Sequence, residues 1–182
     1  MQDTPAPNGL MGTGPLLARH VETVPAEWTD YNGHMNVAFY VLAFDHATDV
    51  LLDELDLGEA YRQRARMSVF VVETHVNYLQ EVDLGDHLAF TTRVLGGDDK
   101  RMHIFHHMYR LARDAEPELV ATNEIMTLHV SLETRGWAPF DPATRDRIAA
   151  MARAHGGLAP PDQAGRRIAP LGGGPATSAK NS

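Results

Sequence analysis

The sequence predicts an α+β domain in which an antiparallel sheet packs on one long helix. Three observations carry this prediction. Residues 37–55 place apolar side chains at helical spacing, whereas four segments between residues 67 and 132 alternate with a period of two. Turn chemistry, not helical sequence, joins those four segments. A last helix start signal follows at Asp141-Pro142. One helix against consecutive antiparallel strands is a two-layer α+β packing.

Each element has its own justification. Leu16 to Val24 alternates weakly and reads as a first strand. Asp30-Tyr31-Asn32-Gly33 then reads as a turn, and Asn36 can cap the helix that follows. Val37, Tyr40, Val41, Phe44, Thr48, Leu51, Leu52 and Leu55 define its apolar face, with Asp45, Asp49, Asp53 and Glu54 mostly opposite. Gly58 is the expected stop. In the strand Met67–Gln80, Phe70, Val72, Val76 and Tyr78 are expected on one face, and Val71, Glu73, His75 and Asn77 on the other. His87–Leu95 alternates Leu88, Phe90, Thr92 and Val94, and Gly96-Gly97-Asp98-Asp99 makes a hairpin into Arg101–Leu111. A turn at Ala115 to Pro117 leads to Leu119–Leu132, with Val120, Met126, Leu128, Val130 and Leu132 on a common face. Asp141 as N-cap and Pro142 at the first helical position open a short helix through His155.

Composition bounds the function. The 182 residues are 43% hydrophobic, enough for one domain with a real core, expected over residues 16–155. Residues 1–15 and 156–182 are Gly/Pro-rich and lack aromatic residues, so both are expected to be flexible ends. No apolar run approaches the ~20 residues of a membrane helix, and no signal peptide is evident. The absence of cysteine excludes disulfides, thiolate zinc sites and a cysteine nucleophile, and fits a reducing cytoplasm. A net charge of −8 disfavours a binder of nucleic acid or anionic membrane. With two lysines against 14 arginines, a phosphate grip would rest largely on arginine. No G-x-G-x-x-G, Walker-type loop or G-x-S-x-G occurs, so nucleotide-dependent redox chemistry, kinase chemistry and a serine triad are disfavoured, and no cofactor is expected.

The densest polar cluster is EWTDYNGHMNVAFY, residues 27–40. It sets Asp30 and His34 in a turn that leads directly into the long helix. The first helical turn offers unpaired N–H groups and the positive end of the dipole, a ready oxyanion site around Asn36, Val37 and Ala38. A carboxylate just before it can attack a carbonyl or activate water. The plain structural alternative is that Asp30 caps a turn and His34 packs. His103, His106 and His107 suggest a metal, but on a strand His106 points away from the other two, so no metal site is expected. Glu73 and His75 share a strand face and either serve a pocket or face solvent.

Residues 28–40, WTDYNGHMNVAFY, resemble the 4-hydroxybenzoyl-CoA thioesterase-like branch of the hotdog-fold family, whose pattern D-x-D-x-x-G-H-(apolar)-N-N-x-x-Y enters the central helix. Asp30, Gly33-His34, Asn36 and Tyr40 match, while Trp28 and Val37 replace an acid and an asparagine. The resemblance implies a five-stranded antiparallel sheet wrapped around one long helix, with a short C-terminal helix. It also implies that Asp30 is nucleophile or general base, that the Val37 N–H polarises a thioester carbonyl and that His34 assists. EWTDYNGHMN, VVETHVNYL, VLGGDDKRMHIFHHMYR and MTLHV are further similar to the subgroup acting on betainyl-CoA in carnitine breakdown. That similarity implies an acyl-CoA substrate with a quaternary ammonium, held by aromatic faces and carboxylates. The expected substrate-binding residues are Trp28, Tyr31, Asn36, Tyr40, Glu73, His75 and Trp137, and the expected CoA-binding residues are Arg93, Lys100 and Arg101. Other short or aromatic acyl-CoAs, or a non-hydrolytic hotdog protein such as a hydratase or acyl-CoA-binding regulator, are the alternatives. An open sheet edge invites a homo-oligomer, a dimer or dimer of dimers.

Overall fold

Why the chain's single long helix lies where it does follows from its small residues. In the computed structural model, which describes residues 17–113 and 115–169, α1 (Val37–Glu54) buries Tyr40, Ala43, Phe44, Ala47, Thr48, Leu51 and Leu52. Ala43 and Ala47 are 0% and 1% exposed and let the helix axis approach the sheet closely. The buried face is therefore rotated from the expected one: Val37 and Val41 remain 59% and 41% exposed. Asn36 caps the helix as expected, its side chain accepting from the Ala38 N–H.

The helix does not run to Gly58. It ends in a Schellman-type close, with Asp56 in the left-handed region (φ 58°) and the Leu57 N–H donating to the Leu52 carbonyl at 2.7 Å. Asp56 takes the role expected of Gly58, and Gly58 instead starts a second short helix, α2 (Glu59–Ala65), that the sequence reading missed. The sheet comprises β1 (Leu17–Thr23), β2 (Met67–Tyr78), β3 (His87–Gly97), β4 (Arg101–Leu111) and β5 (Glu118–Ser131), in the order β1-β3-β4-β5-β2, antiparallel throughout.

Two bulges change the expected faces. Between Val71 and Glu73 the β2 register slips, so Val71, Thr74 and Val76 come to the helix side while Glu73 and His75 face away from it. Between Met108 and Tyr109 the β4–β5 register slips opposite Val120. Beyond it Ala121, Ile125 and Thr127 are fully buried against the core, whereas Met126 and Leu128 are only half-buried on the outer face. On β3, Leu88, Phe90, Thr92 and Val94 are buried as expected.

The core has two parts along α1. Phe44, Leu88, Phe90 and Met108 pack at one end, and Leu51, Leu55, Val94, Ile104 and Ile125 at the other. Each such fully buried side chain contributes roughly 1.5–3 kcal/mol. His106 is buried between them, its ring nitrogens within 2.9 Å of the Thr92 hydroxyl and 3.1 Å of the Thr48 hydroxyl of α1.

The last helix, α3 (Pro142–Gly156), opens on an Asp141 cap as expected and closes the edge of β3 beyond its last pairing with β1. His155 Nδ1 accepts the Val94 N–H at 2.9 Å. Hydrogen bonds hold the segment that follows α3 as far as Gly165. Arg93, 6% exposed, donates to the carbonyls of His155, Leu158 and Ala159, and the Gly165 N–H reaches a Glu124 carboxylate oxygen at 2.8 Å. Within the tail expected to be flexible from residue 156, the described part forms a strap through Gly165, and residues 170–182 lie outside the described residues. The expectation for residues 1–15 lies outside the described residues.

Candidate active site at the N-terminus of the long helix

Local hydrogen bonding makes residues 28–36 a tight turn. The Asp30 N–H donates to the His34 carbonyl (2.9 Å), and the Gly33 N–H returns to the Asp30 carbonyl (3.0 Å). Gly33 sits at φ 85°, which favours glycine. The Asn32 N–H donates to Asp30 Oδ1 at 2.7 Å, which fixes the carboxylate at the turn. The Met35 N–H bonds to the Val82 carbonyl at 2.7 Å, clamping the turn onto the loop between β2 and β3. Asp30 therefore does cap its turn, and it also lines a cleft of about 690 Å³.

The same cleft receives the start of α1. Val37 lines it, and among the described residues its N–H has no acceptor. Two tyrosines hold this end in place. Tyr78 donates to the Val37 carbonyl and Tyr40 to the Gln80 carbonyl, each at 3.3 Å, and their rings meet edge to face with centroids 5.2 Å apart. Burial pushes the Tyr40 hydroxyl up to about 12, so it stays a neutral donor. His34 places Nε2 3.6 Å from a Glu81 oxygen and 3.7 Å from an Asp83 oxygen. Asp30, Glu81 and Asp83 make the cleft acidic, with Arg110 at its wall. Such a site offers a carboxylate, an unpaired N–H at a helix N-terminus and a negative, aromatic-walled space.

Of the expected site residues, the structure brings together Asp30, His34, Val37 and Tyr40. Asn36 adjoins them as the helix cap, its own N–H bonded to the Trp28 carbonyl. The rest do not line the cleft. Trp28 stacks on Phe39 at 5.6 Å, Tyr31 is 97% exposed at the turn tip, and Trp137 packs under the Lys100 ammonium, 3.8 Å from its ring centroid. Glu73 and His75 line a separate cleft on the outer sheet face with His103 and Glu124. Of the expected cage residues Trp28, Tyr31, Tyr40, Glu73 and Trp137, only Tyr40 lines the Asp30 cleft.

The expected CoA-binding residues Arg93, Lys100 and Arg101 do not line this cleft. The guanidinium of Arg93 is committed to three carbonyls of the strap. Arg101 pairs with Asp98 at 2.6 Å in the β3–β4 hairpin. The hairpin and the cleft occupy opposite ends of β4, and nine residues of antiparallel strand span about 30 Å. Lys100 and Arg101 are therefore remote from the Asp30 cleft of their own chain. The sequence reading missed Tyr78, Gln80, Glu81, Asp83 and Arg110. The acids flanking Val82 were a local signal, but their pairing with His34 is a long-range bridge. As expected for the β4 histidines, His106 points inward while His103 and His107 face out. Among the described residues, one group of metal-ligating side chains converges, His20, Glu22 and His46, outside this cleft. No helix among the described residues is long and apolar enough to cross a membrane.

Comparison with known proteins supplies the family. The chain is 39% identical over 153 residues to a betainyl-CoA thioesterase of Pseudomonas aeruginosa, covering 84% of this chain and 94% of that protein. It is 38% identical to an L-carnitine dehydrogenase/betainyl-CoA thioesterase of Ruegeria pomeroyi, matching 86% of this chain but only 31% of that longer protein. A Staphylococcus aureus protein solved in complex with CoA superposes with a TM-score of 0.76 at 29% identity, covering 85% of this chain and 94% of that one. A Pseudomonas putida protein solved as a thioesterase candidate gives 0.72 at 37% identity, covering 86% and 98%. The sequence model of the Thioesterase-like superfamily matches residues 24–148, from just before the Asp30 turn into α3. The chain belongs to the Thioesterase-like superfamily, and its sheet and central helix are a hotdog fold.

Proposed function

We propose that the protein is an acyl-CoA thioesterase whose substrate is betainyl-CoA, hydrolysed to glycine betaine and CoA. The observation that carries this reading is the convergence of the Asp30 carboxylate and the Val37 N–H on one acidic, tyrosine-walled cleft. The thioester carbonyl accepts from the Val37 N–H, where the α1 dipole favours the developing oxyanion. Asp30 either takes a proton from the water that attacks the carbonyl carbon, or attacks that carbon itself. In the second case a mixed anhydride remains once the thiolate has left, and water then hydrolyses it to free acid and carboxylate. Collapse of the tetrahedral species breaks the C–S bond, and the thiolate, of a type with a pKa of roughly 8.5, departs without a strong acid. His34 holds the turn and the incoming water.

The acyl group is chosen by geometry as well as by likeness to the betainyl-CoA thioesterases. In a betainyl group the nitrogen lies about 2.5 Å from the carbonyl carbon, as across N–Cα–C in a peptide. The cation must therefore sit in the catalytic cleft itself. There it meets Glu81, Asp83 and the faces of Tyr40 and Tyr78 rather than a distant aromatic cage. The same positive charge lies beside the oxyanion and stabilises it.

The exposed edge strand β2, with Phe70, Val71 and Val72 at 45%, 44% and 55% exposure, supports a homodimer formed along that edge. Light scattering should show no stable monomer at micromolar concentration. The cysteine-free composition and a CoA substrate fit the cytoplasm. The substrate assignment is tested with betainyl-CoA against its uncharged isostere, 3,3-dimethylbutanoyl-CoA, and against carnitinyl-, 4-hydroxybenzoyl- and fatty acyl-CoA. Betainyl-CoA should have the highest kcat/KM. Equal turnover of the isostere would refute recognition of the cation.

A further inference from the structure

A second constellation lies outside the catalytic cleft. On β1, His20 and Glu22 are two residues apart and so face the same side, toward α1. His46 comes from the third turn of that helix. Glu22 Oε1 lies 2.5 Å from His20 Nε2 and 2.6 Å from His46 Nδ1, and the three ligand atoms all fall within 4.8 Å of one another. The second oxygen, Glu22 Oε2, is buried and has no hydrogen-bond partner. None of the three residues lines the Asp30 cleft.

We propose that His20, Glu22 and His46 bind one divalent transition-metal ion of zinc's class and so fasten the edge strand β1 to α1. Two imidazole nitrogens and one carboxylate are a ligand set that zinc accepts, with the fourth position left to water. Ligands about 2.1 Å from a tetrahedral ion stand about 3.4 Å apart. The two imidazole-to-carboxylate contacts need to open by less than about 1 Å to admit the ion, within the reach of side-chain rotation. The Glu22 carboxylate, whose second oxygen has no hydrogen-bond partner, then gains a cationic counter-charge. Phe90 packs on the His20 ring at 5.0 Å and Trp28 lies 6.3 Å from the His46 ring, so apolar walls shield one side. Asp49, on the next turn of α1, brings further negative charge to both histidines. Sequence spacing did not show this set, because two ligands lie on a strand and the third is 24 residues beyond the second.

The rival is a metal-free hydrogen-bonded triad, and one titration separates the two. Untagged full-length protein, stripped with chelator, is titrated with Co²⁺ while the visible d–d absorption is followed, then with Zn²⁺ by calorimetry. The expected result is saturation at one ion per chain, displacement of Co²⁺ by Zn²⁺, and a Zn²⁺-dependent rise in the thermal midpoint. His46→Ala, at a half-exposed position, should keep the fold by circular dichroism. It should weaken binding by more than about 100-fold, a larger effect than loss of an outer-shell partner. Glu22→Gln should do the same. Absence of saturable binding, or wild-type affinity in folded His46→Ala and Glu22→Gln, would overturn the proposal.

Discussion

Protonation of His106 should loosen the helix that carries the active site. Its imidazole is 0% exposed between the Thr92 and Thr48 hydroxyls, and burial lowers its pKa from 6.5 to about 3. The folded state thus binds this proton far more weakly than the unfolded chain does. The stabilisation is complete above pH 6.5 and is lost progressively as pH falls toward 3. Between pH 7 and pH 5 the linkage amounts to about 2 kcal/mol, a sizeable share of a domain's total stability. His107, lowered to about 4 by burial and by Arg93, adds in the same direction but is only half-buried, so its share is smaller. Urea unfolding followed by circular dichroism, at several pH values across that window, measures the slope. His106→Leu should begin less stable by about 1–3 kcal/mol, because the Thr92 hydroxyl loses its partner. Its stability should then fall by about 2 kcal/mol less than wild type over the same window. Parallel slopes in the two proteins would refute the assignment.

Three further substitutions separate the roles of individual residues. Tyr78→Phe removes the donor to the Val37 carbonyl and should cost roughly 0.5–1.5 kcal/mol of local order, read as a few-fold fall in kcat/KM with the fold intact. Arg101→Ala should leave the KM for acyl-CoA unchanged, since this side chain pairs with Asp98 at the far end of β4; a several-fold rise would restore it to the CoA site, contributed across a subunit boundary. Arg93→Met should destabilise the protein by about 2 kcal/mol and expose the strap between Gly157 and Gly165 to limited proteolysis, whereas unchanged protection would show that Arg93 does not hold it.

The fold was legible wherever a local pattern matches a local cause. The Asn36 and Asp141 caps, the Asp98 hairpin and the alternation of β3 stand where the residues put them. Errors arose where one residue changes a phase. A bulge at Val71–Glu73 sends Glu73 and His75 to the outer face, and another opposite Val120 inverts the expected face of β5. A bulge is a property of two paired strands, so a period-two pattern read on one strand does not contain it. The turn at the candidate site was legible for the opposite reason: Asp30, Gly33, His34 and Asn36 are close in sequence and bonded within their own segment. The other wall of the cleft, Tyr78 to Asp83 with Arg110, arrives through long-range pairing and was not visible beforehand. The burial of Arg93 was not visible because a charge in a sequence carries no sign of it, and here three carbonyls accept hydrogen bonds from the guanidinium inside the protein.

The most direct test of the account is single-turnover hydrolysis of betainyl-CoA by Asp30→Asn beside the wild-type enzyme. The amide keeps the size of the side chain and removes the charge proposed to attack the carbonyl or activate water. Chemistry should slow by on the order of 10²-fold or more while betainyl-CoA still binds, the mark of an interaction realised in the transition state. Near wild-type turnover by the folded variant would contradict the account, because Asp30 would then not be the reacting group.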